Sequence, residues 1–227
     1  MKNNYNEHMK QILKRFYLLP ILIVCGFFFS CSRAEPIIHF GFIELILYPG
    51  NTGPVERYSF FILPEDEDGL DNLDELFLYH DREGLRWRFS HNDWVTHEED
   101  GITWIGSRSI AMQNNAPLPR GLYRAVLVNL GGESTERLFS FDSPETPRHS
   151  FPAFSIANQI FRIESTFPVN HFIGYDIGGN PIQTVTLTEH EGDIRNLRFH
   201  IAVRTIALWA DDPMYRTSAL TDAISIR

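Results

Sequence analysis

Cysteine is almost missing from this 227-residue chain: Cys25 and Cys31 are the only two, and none follows residue 31. Disulfides, thiol nucleophiles and thiolate-held metals are therefore excluded from residues 32–227. Lysine is confined in the same way. Lys2, Lys10 and Lys14 are the only three, so nothing downstream can form a Schiff base or a Ser-Lys dyad. A long apolar run is also missing, because Phe16–Phe29 counts 14 residues and is broken by Pro20, whereas a membrane span needs about 20. There is no Gly-x-Ser-x-Gly elbow, no phosphate-cradling glycine loop and no His-Glu-x-x-His run. Positive charge is scarce. The formal net charge is −9, and without residues 1–30 the chain keeps 16 basic residues, all arginine, against 28 acidic ones, a charge of −12. Such a balance argues against nucleic acid or anionic lipid as a partner, since both need clustered positive charge.

What is present begins with the leader. Lys2, Lys10, Lys14 and Arg15 precede the apolar stretch Phe16–Phe29, and Ser30-Cys31-Ser32 closes it. This layout resembles the lipobox of bacterial lipoprotein precursors. Cys25 is a poorer candidate because Val24 before it is not the small residue such a cut wants. The resemblance implies removal of residues 1–30 as a signal peptide, a diacylglycerol on the Cys31 sulfur and an acyl group on its new amino terminus. It further implies a short tether over 31–36 and a place in the bacterial cell envelope. Ser32 is not the Asp that resembles an inner-membrane retention signal, so the outer membrane is the expected address.

Aromatic residues are plentiful beyond the leader, and short apolar or alternating runs recur about every ten residues between Gly, Pro, Asn and Asp clusters. That spacing predicts an all-β protein of the sandwich or barrel type. Strands are expected at 37–48, 55–63, 73–80, 85–89, 102–105, 107–112, 122–130 and 135–142. Leu85, Trp87 and Phe89 alternate with Arg86 and Arg88, and Gly131-Gly132 suits a hairpin turn. The proline-rich stretch 143–152 reads as a linker, so the expectation is one sandwich domain at 37–142 and a second at 153–227. Strands of the second half are expected at 154–165, 171–175, 182–188, 201–209 and 218–226. The run Leu76–Gly84 is echoed by His171–Gly179, a strand entering an Asp-and-Gly turn, which recurs by chance in β proteins.

Pro119-Arg120-Gly121-Leu122-Tyr123-Arg124-Ala125 resembles the loop-to-strand passage of immunoglobulin-like and fibronectin-like domains. The resemblance implies that the Tyr123 hydroxyl bonds back to the main chain upstream, forming a tyrosine corner, and that Ala125 fills a core position. Pro119 replaces the aspartate that often opens that motif. A body of tandem immunoglobulin-like sandwiches, without catalytic activity, is what this implies.

Candidate chemistry lies in two loops. Residues 65–75 carry seven carboxylates, among which Asp66, Asp68, Asp71 and Glu75 could share Ca²⁺. An EF-hand register puts Pro64 at the first ligand position, which removes a principal oxygen. The plainer reading is an Asp-Gly turn whose carboxylates cap nearby amides. The second loop, 91–101, holds Trp94 in a polar setting with His91, Asn92 and His97. Flat aromatic faces flanked by amides and carboxylates suit sugars, so Trp87, Trp94 and Trp104 suggest a glycan-binding or glycan-hydrolysing alternative, with core packing as the plainer account of Trp87. His91, His97 and Asp100 could meet as zinc ligands, although nothing in their spacing requires it. The resulting expectation is a lipid-anchored, non-catalytic binding or scaffolding protein whose partner is another envelope protein or a glycan, with no cofactor unless the acidic loop holds Ca²⁺.

Overall fold

Side-chain alternation builds most of the strands. The structure is a computed structural model, and it describes residues 34–144 and 148–226. The expected leader 1–30, the expected lipid-bearing Cys31 and residues 32, 33, 145–147 and 227 lie outside the described residues. Eight strands make the first half: β1 (Ile37–Tyr48), β2 (Val55–Glu65), β3 (Leu73–His80), β4 (Leu85–Ser90), β5 (Val95–Glu99), β6 (Ile102–Ile110), β7 (Gly121–Asn129) and β8 (Ser134–Phe141). Eight more described strands follow: β9 (Ala153–Ala157), β10 (Ile160–Glu164), β11 (Val169–Tyr175), β12 (Pro181–Leu187), β13 (Glu191–Asp193), β14 (Thr205–Asp212), β15 (Thr217–Leu220) and β16 (Ile224–Ser225). Among the described residues helix is limited to short 3₁₀ turns such as Leu70–Asn72. Among the described residues no helix is long and apolar enough to cross a membrane.

The all-β expectation holds, in a sandwich-like arrangement of three sheets. The largest runs β12-β11-β14-β15-β1-β2-β6-β5, with β16 added to β14. A four-stranded sheet, β4-β3-β7-β8, belongs to the first half, and a three-stranded one, β13-β10-β9, to the second. One core contains Ile43, Leu45, Tyr58, Phe60 and Ile62 of the large sheet with Leu76, Leu78, Tyr123, Ala125 and Leu127 of the four-stranded sheet. A smaller core gathers Phe161, Ile163, Phe172, Ile206 and Leu208. Each large apolar side chain buried here contributes about 1.5–3 kcal/mol.

The large sheet runs through both halves of the chain. β15 adds in parallel to β1, pairing Leu45 with Thr217 and Leu47 with Ala219. Phe167, Ala210 and Ala219 of the second half enter the first core. The stretch 143–152, expected to separate one sandwich from the next, therefore connects halves whose strands β1 and β15 share backbone hydrogen bonds, and Glu35–Arg227 form one compact unit.

Three further expectations differ. The two strands expected at 102–105 and 107–112 are one strand, β6, which runs Ile102–Ile110 with no break at Gly106. The single strand expected over 154–165 is a hairpin, because Asn158 and Gln159 both take positive φ (51° and 69°) in a two-residue turn between β9 and β10. Much of the loop expected at 91–101 is strand β5, joined to β6 through Asp100-Gly101, both also at positive φ.

Candidate functional site

Strand polarity brings the two flagged loops together. β1 begins beside the end of β2, with Ile37 opposite Glu65, and β6 begins at the same level beside β2, with Ile105 opposite Ile62. The chain leaves β2 into 66–72 and returns from β4 through 91–94, so both connections lie at the end of the fold where the chain enters β1. The 66–72 loop is organised from within. Asp66 accepts from the Asp68 amide at 2.9 Å and from Asn72 Nδ2 at 2.8 Å on one oxygen, and from Asn129 Nδ2 at 3.3 Å on the other. Desolvation opposes ionisation of this carboxyl, but the bonds from Asn72, Asp68 and Asn129 outweigh it and hold it below its ordinary value.

The second loop is tied onto the first. The His91 amide donates to the Asp74 carbonyl at 2.9 Å, and His91 Nδ1 lies 3.1 Å from the Leu73 carbonyl. A carbonyl can only accept, so Nδ1 carries the proton there. The His91 ring stands edge-on to Trp94, centroids 5.0 Å apart and planes 64° to one another. Trp94 is half-buried against the first core. Between the loops and strands β5 and β6 lies an open groove of about 330 Å³, lined by Leu70, Asp71, His91, Trp94, Thr96, Glu98, Thr103 and Ile105. The side chains of Asp71, Thr96, Glu98 and Thr103 make no hydrogen bond or ion pair among the described residues.

The other candidates separate. Asp68 contributes its amide to the Asp66 cap. Glu75 lies on β3 and takes the Arg88 guanidinium, with Nε at 2.7 Å. Asp66, Asp71 and Glu75 thus have three different surroundings, and among the described residues no group of three or more His, Cys, Asp or Glu side chains could hold a metal ion. Asn92 is an exposed turn residue. His97 alternates with Thr96 and Glu98 on β5, so it faces the other side of the sheet, where its ring is 6.4 Å from Phe61. His91, His97 and Asp100 do not converge, since Asp100 occupies the β5–β6 turn. Trp87 packs near Tyr123 and donates to the Ala111 carbonyl at 3.3 Å, while Trp104 lies against Phe42. Of the three tryptophans, only Trp94 lines the groove.

The far end of the same sandwich holds a cluster that sequence spacing did not reveal. Arg120, nearly buried, makes two bonds to the Glu56 carboxylate at 2.8 and 2.9 Å. It also donates to the carbonyls of Leu118, Ser143 and Pro144. Tyr58 and Tyr123 both donate to the Pro119 carbonyl, at 2.8 and 2.6 Å, so Tyr123 makes the upstream bond its motif implied. Burial pushes the Tyr58 phenol up to about 12 and raises Tyr123 as well. Beyond Pro144, His149 Nε2 meets Asp212 at 2.7 Å while Nδ1 meets Thr166 at 3.2 Å. The space enclosed here is about 20 Å³, room for a water and not for a substrate. Both His149 nitrogens are occupied, which suits a clasp holding the 143–152 stretch. The passage 119–125 pointed to Tyr123 and Ala125, and no local pattern could name for Arg120 a partner 64 residues earlier.

No family model matches the chain, and no curated protein matches it. Among solved structures it is similar to the crystal structure of dimeric latent PorU from Porphyromonas gingivalis, with 13% identity and a TM-score of 0.31. The match covers 85% of this chain and 20% of that one. The chain therefore spans about a fifth of that protein's length, and a likeness this slight carries no argument about fold or function.

Proposed function

We propose that this chain is a lipid-anchored, extracytoplasmic binding protein of a bacterial envelope, non-catalytic and held at the outer membrane through Cys31. The observation that carries the binding role is the meeting of loops 66–72 and 91–94 around Trp94 on a sheet that runs through both halves. Loops held by a rigid scaffold are where recognition concentrates. Residues 31–36 span at most about 20 Å when extended. The groove opens at the end of the fold where that tether joins β1, so the anchor would keep it near the membrane surface and raise its effective concentration for a surface partner.

The anchor is tested by detergent phase partitioning and by the mass of the amino-terminal peptide, with the Cys31→Ser variant alongside. The wild-type chain is expected in the detergent phase, cut before Cys31 and carrying acyl mass. A Cys31→Ser chain that is processed and partitions in the same way would overturn the assignment.

A further inference from the structure

We infer that the groove between loops 66–72 and 91–94 is a saccharide site whose ligand is an uncharged sugar unit. The inference rests on the binding role proposed above and adds the chemical class of the ligand. Its warrant is the match between the groove's lining and the two surfaces of a sugar ring. A pyranose offers a face of C–H groups, which packs on a flat aromatic ring, and a rim of hydroxyls, each able to donate and accept.

Trp94 supplies the platform. The indole is half-buried against the core, and the edge-on His91 ring, pinned by its Nδ1–H bond to the Leu73 carbonyl, fixes one border. A platform held this way loses little side-chain freedom when a ligand stacks on it. The rim is supplied by Asp71, Thr96, Glu98 and Thr103, whose side chains have no hydrogen bond among the described residues. Two carboxylates at this end are engaged in the fold: Asp66 caps its loop and Glu75 holds Arg88. Thr96 and Glu98 reach the groove because they alternate with His97 on β5.

The same lining selects against other classes. Neither arginine nor lysine lines the groove, and Asp71 and Glu98 repel phosphate, sulfate or uronate groups. Among the described residues no three metal-ligating groups converge, so the carboxylates are not arranged around an ion. An apolar ligand would desolvate four unpaired polar side chains without return. At about 330 Å³ the groove is at the lower end of ligand-site sizes, and being open it accepts one unit of a longer glycan.

Two sources of this chemistry exist near a membrane: the sugar headgroup of a neutral glycolipid and a free or wall-attached neutral glycan. The test uses the full-length lipidated chain in detergent micelles. One arm offers immobilised glucan, mannan, galactan and chitin oligomers beside polygalacturonate. A second arm offers phosphatidylcholine vesicles with and without glucosyl-diacylglycerol. A third offers envelope fractions, intact, protease-treated or periodate-oxidised. Each arm compares wild type with Trp94→Ala and with the volume-keeping pair Thr96→Val and Thr103→Val, and thermal melts verify folding.

Retention on a neutral glycan, or on the glycolipid vesicles, that falls about tenfold or more in both variants supports the saccharide site, and the arm that retains identifies the source. Preference for polygalacturonate overturns the inference. Envelope retention that depends on Trp94, is abolished by protease and resists periodate removes the sugar but keeps the binding groove. If the folded variants bind every support and envelope fraction as the wild type does, both the sugar and the groove's binding role fall.

Discussion

At the scale of single residues the decisive feature is Arg120. Its bidentate pair with Glu56 is nearly dry, with side-chain exposures of 11% and 14%, and a buried ion pair broken on one side leaves an uncompensated charge. Arg120→Met is expected to cost about 3–5 kcal/mol in urea unfolding. The double variant with Glu56→Gln should recover some of that loss but not all, because the carbonyls of Leu118, Ser143 and Pro144 lose their donor in both. A double-mutant cycle measures the split.

Glu44, on the face of β1 opposite the first core, shifts in the opposite sense to Asp66. Burial raises its pKa, the Asp211 carboxylate adds to the rise, and Arg216 opposes it. A raised carboxyl stabilises the fold fully only below its unfolded value, about 4.3, and the contribution disappears as pH rises through the folded value. Stability of Glu44→Gln relative to wild type should therefore increase as pH rises from about 4 to 7. Melting temperatures across that range check the sign; a constant difference would refute it. Asp66, held low by its caps, gives stability above the ordinary carboxylate range that is lost as pH falls through its folded value.

At the scale of elements, legibility follows burial contrast. β1 and β3 are found at the expected residues because each alternates against the first core, as Ile43, Leu45 and Leu47 or Leu76 and Leu78 do. β5 escapes the same reading. All five of its residues are exposed, so no alternation marks it, and pairing with β6 is what makes it a strand. The turn Asp100-Gly101 was the available signal. Missing β5 also hid the site's parity: Asp71, His91 and Trp94 were named, but Thr96 and Glu98 cannot be told from His97 until residues 95–99 are known to be extended.

The join of β5, β6 and β2 yields a prediction. A Cβ on Gly106 would stand 2.0 Å from the Phe60 carbonyl oxygen and 2.8 Å from Phe61 Cα, both backbone atoms that cannot swing aside. Gly106→Ala should cost about 3 kcal/mol or more, at or above the upper end of ordinary overpacking. Because Gly106 pairs with Val95 as well as Phe61, the strain should open β5 first. Hydrogen exchange in β5 faster than in β7 of the same variant is the expected signature.

At the scale of the whole molecule, the low-apolar, proline-rich composition of 143–152 suggested a boundary that hydrogen bonding does not respect. Composition reports the local stiffness of a connection, whereas β15 reaching β1 is a pairing across some 170 residues. No local pattern could announce it. The consequence is cooperative unfolding. Removing the second half would bare the Leu45–Leu47 edge of β1, take Phe167, Ala210 and Ala219 from the first core, and release the carbonyls clamped by Arg120. The chain should therefore melt in one calorimetric transition, with calorimetric and van't Hoff enthalpies equal, and near- and far-ultraviolet dichroism should change together. Two separated transitions, or a fragment 37–142 as stable as the whole, would mean that the shared strands do not couple the halves. A single transition bears on binding too, because loops 66–72 and 91–94 would then draw on the stability of the entire sheet and present Trp94 in one fixed geometry.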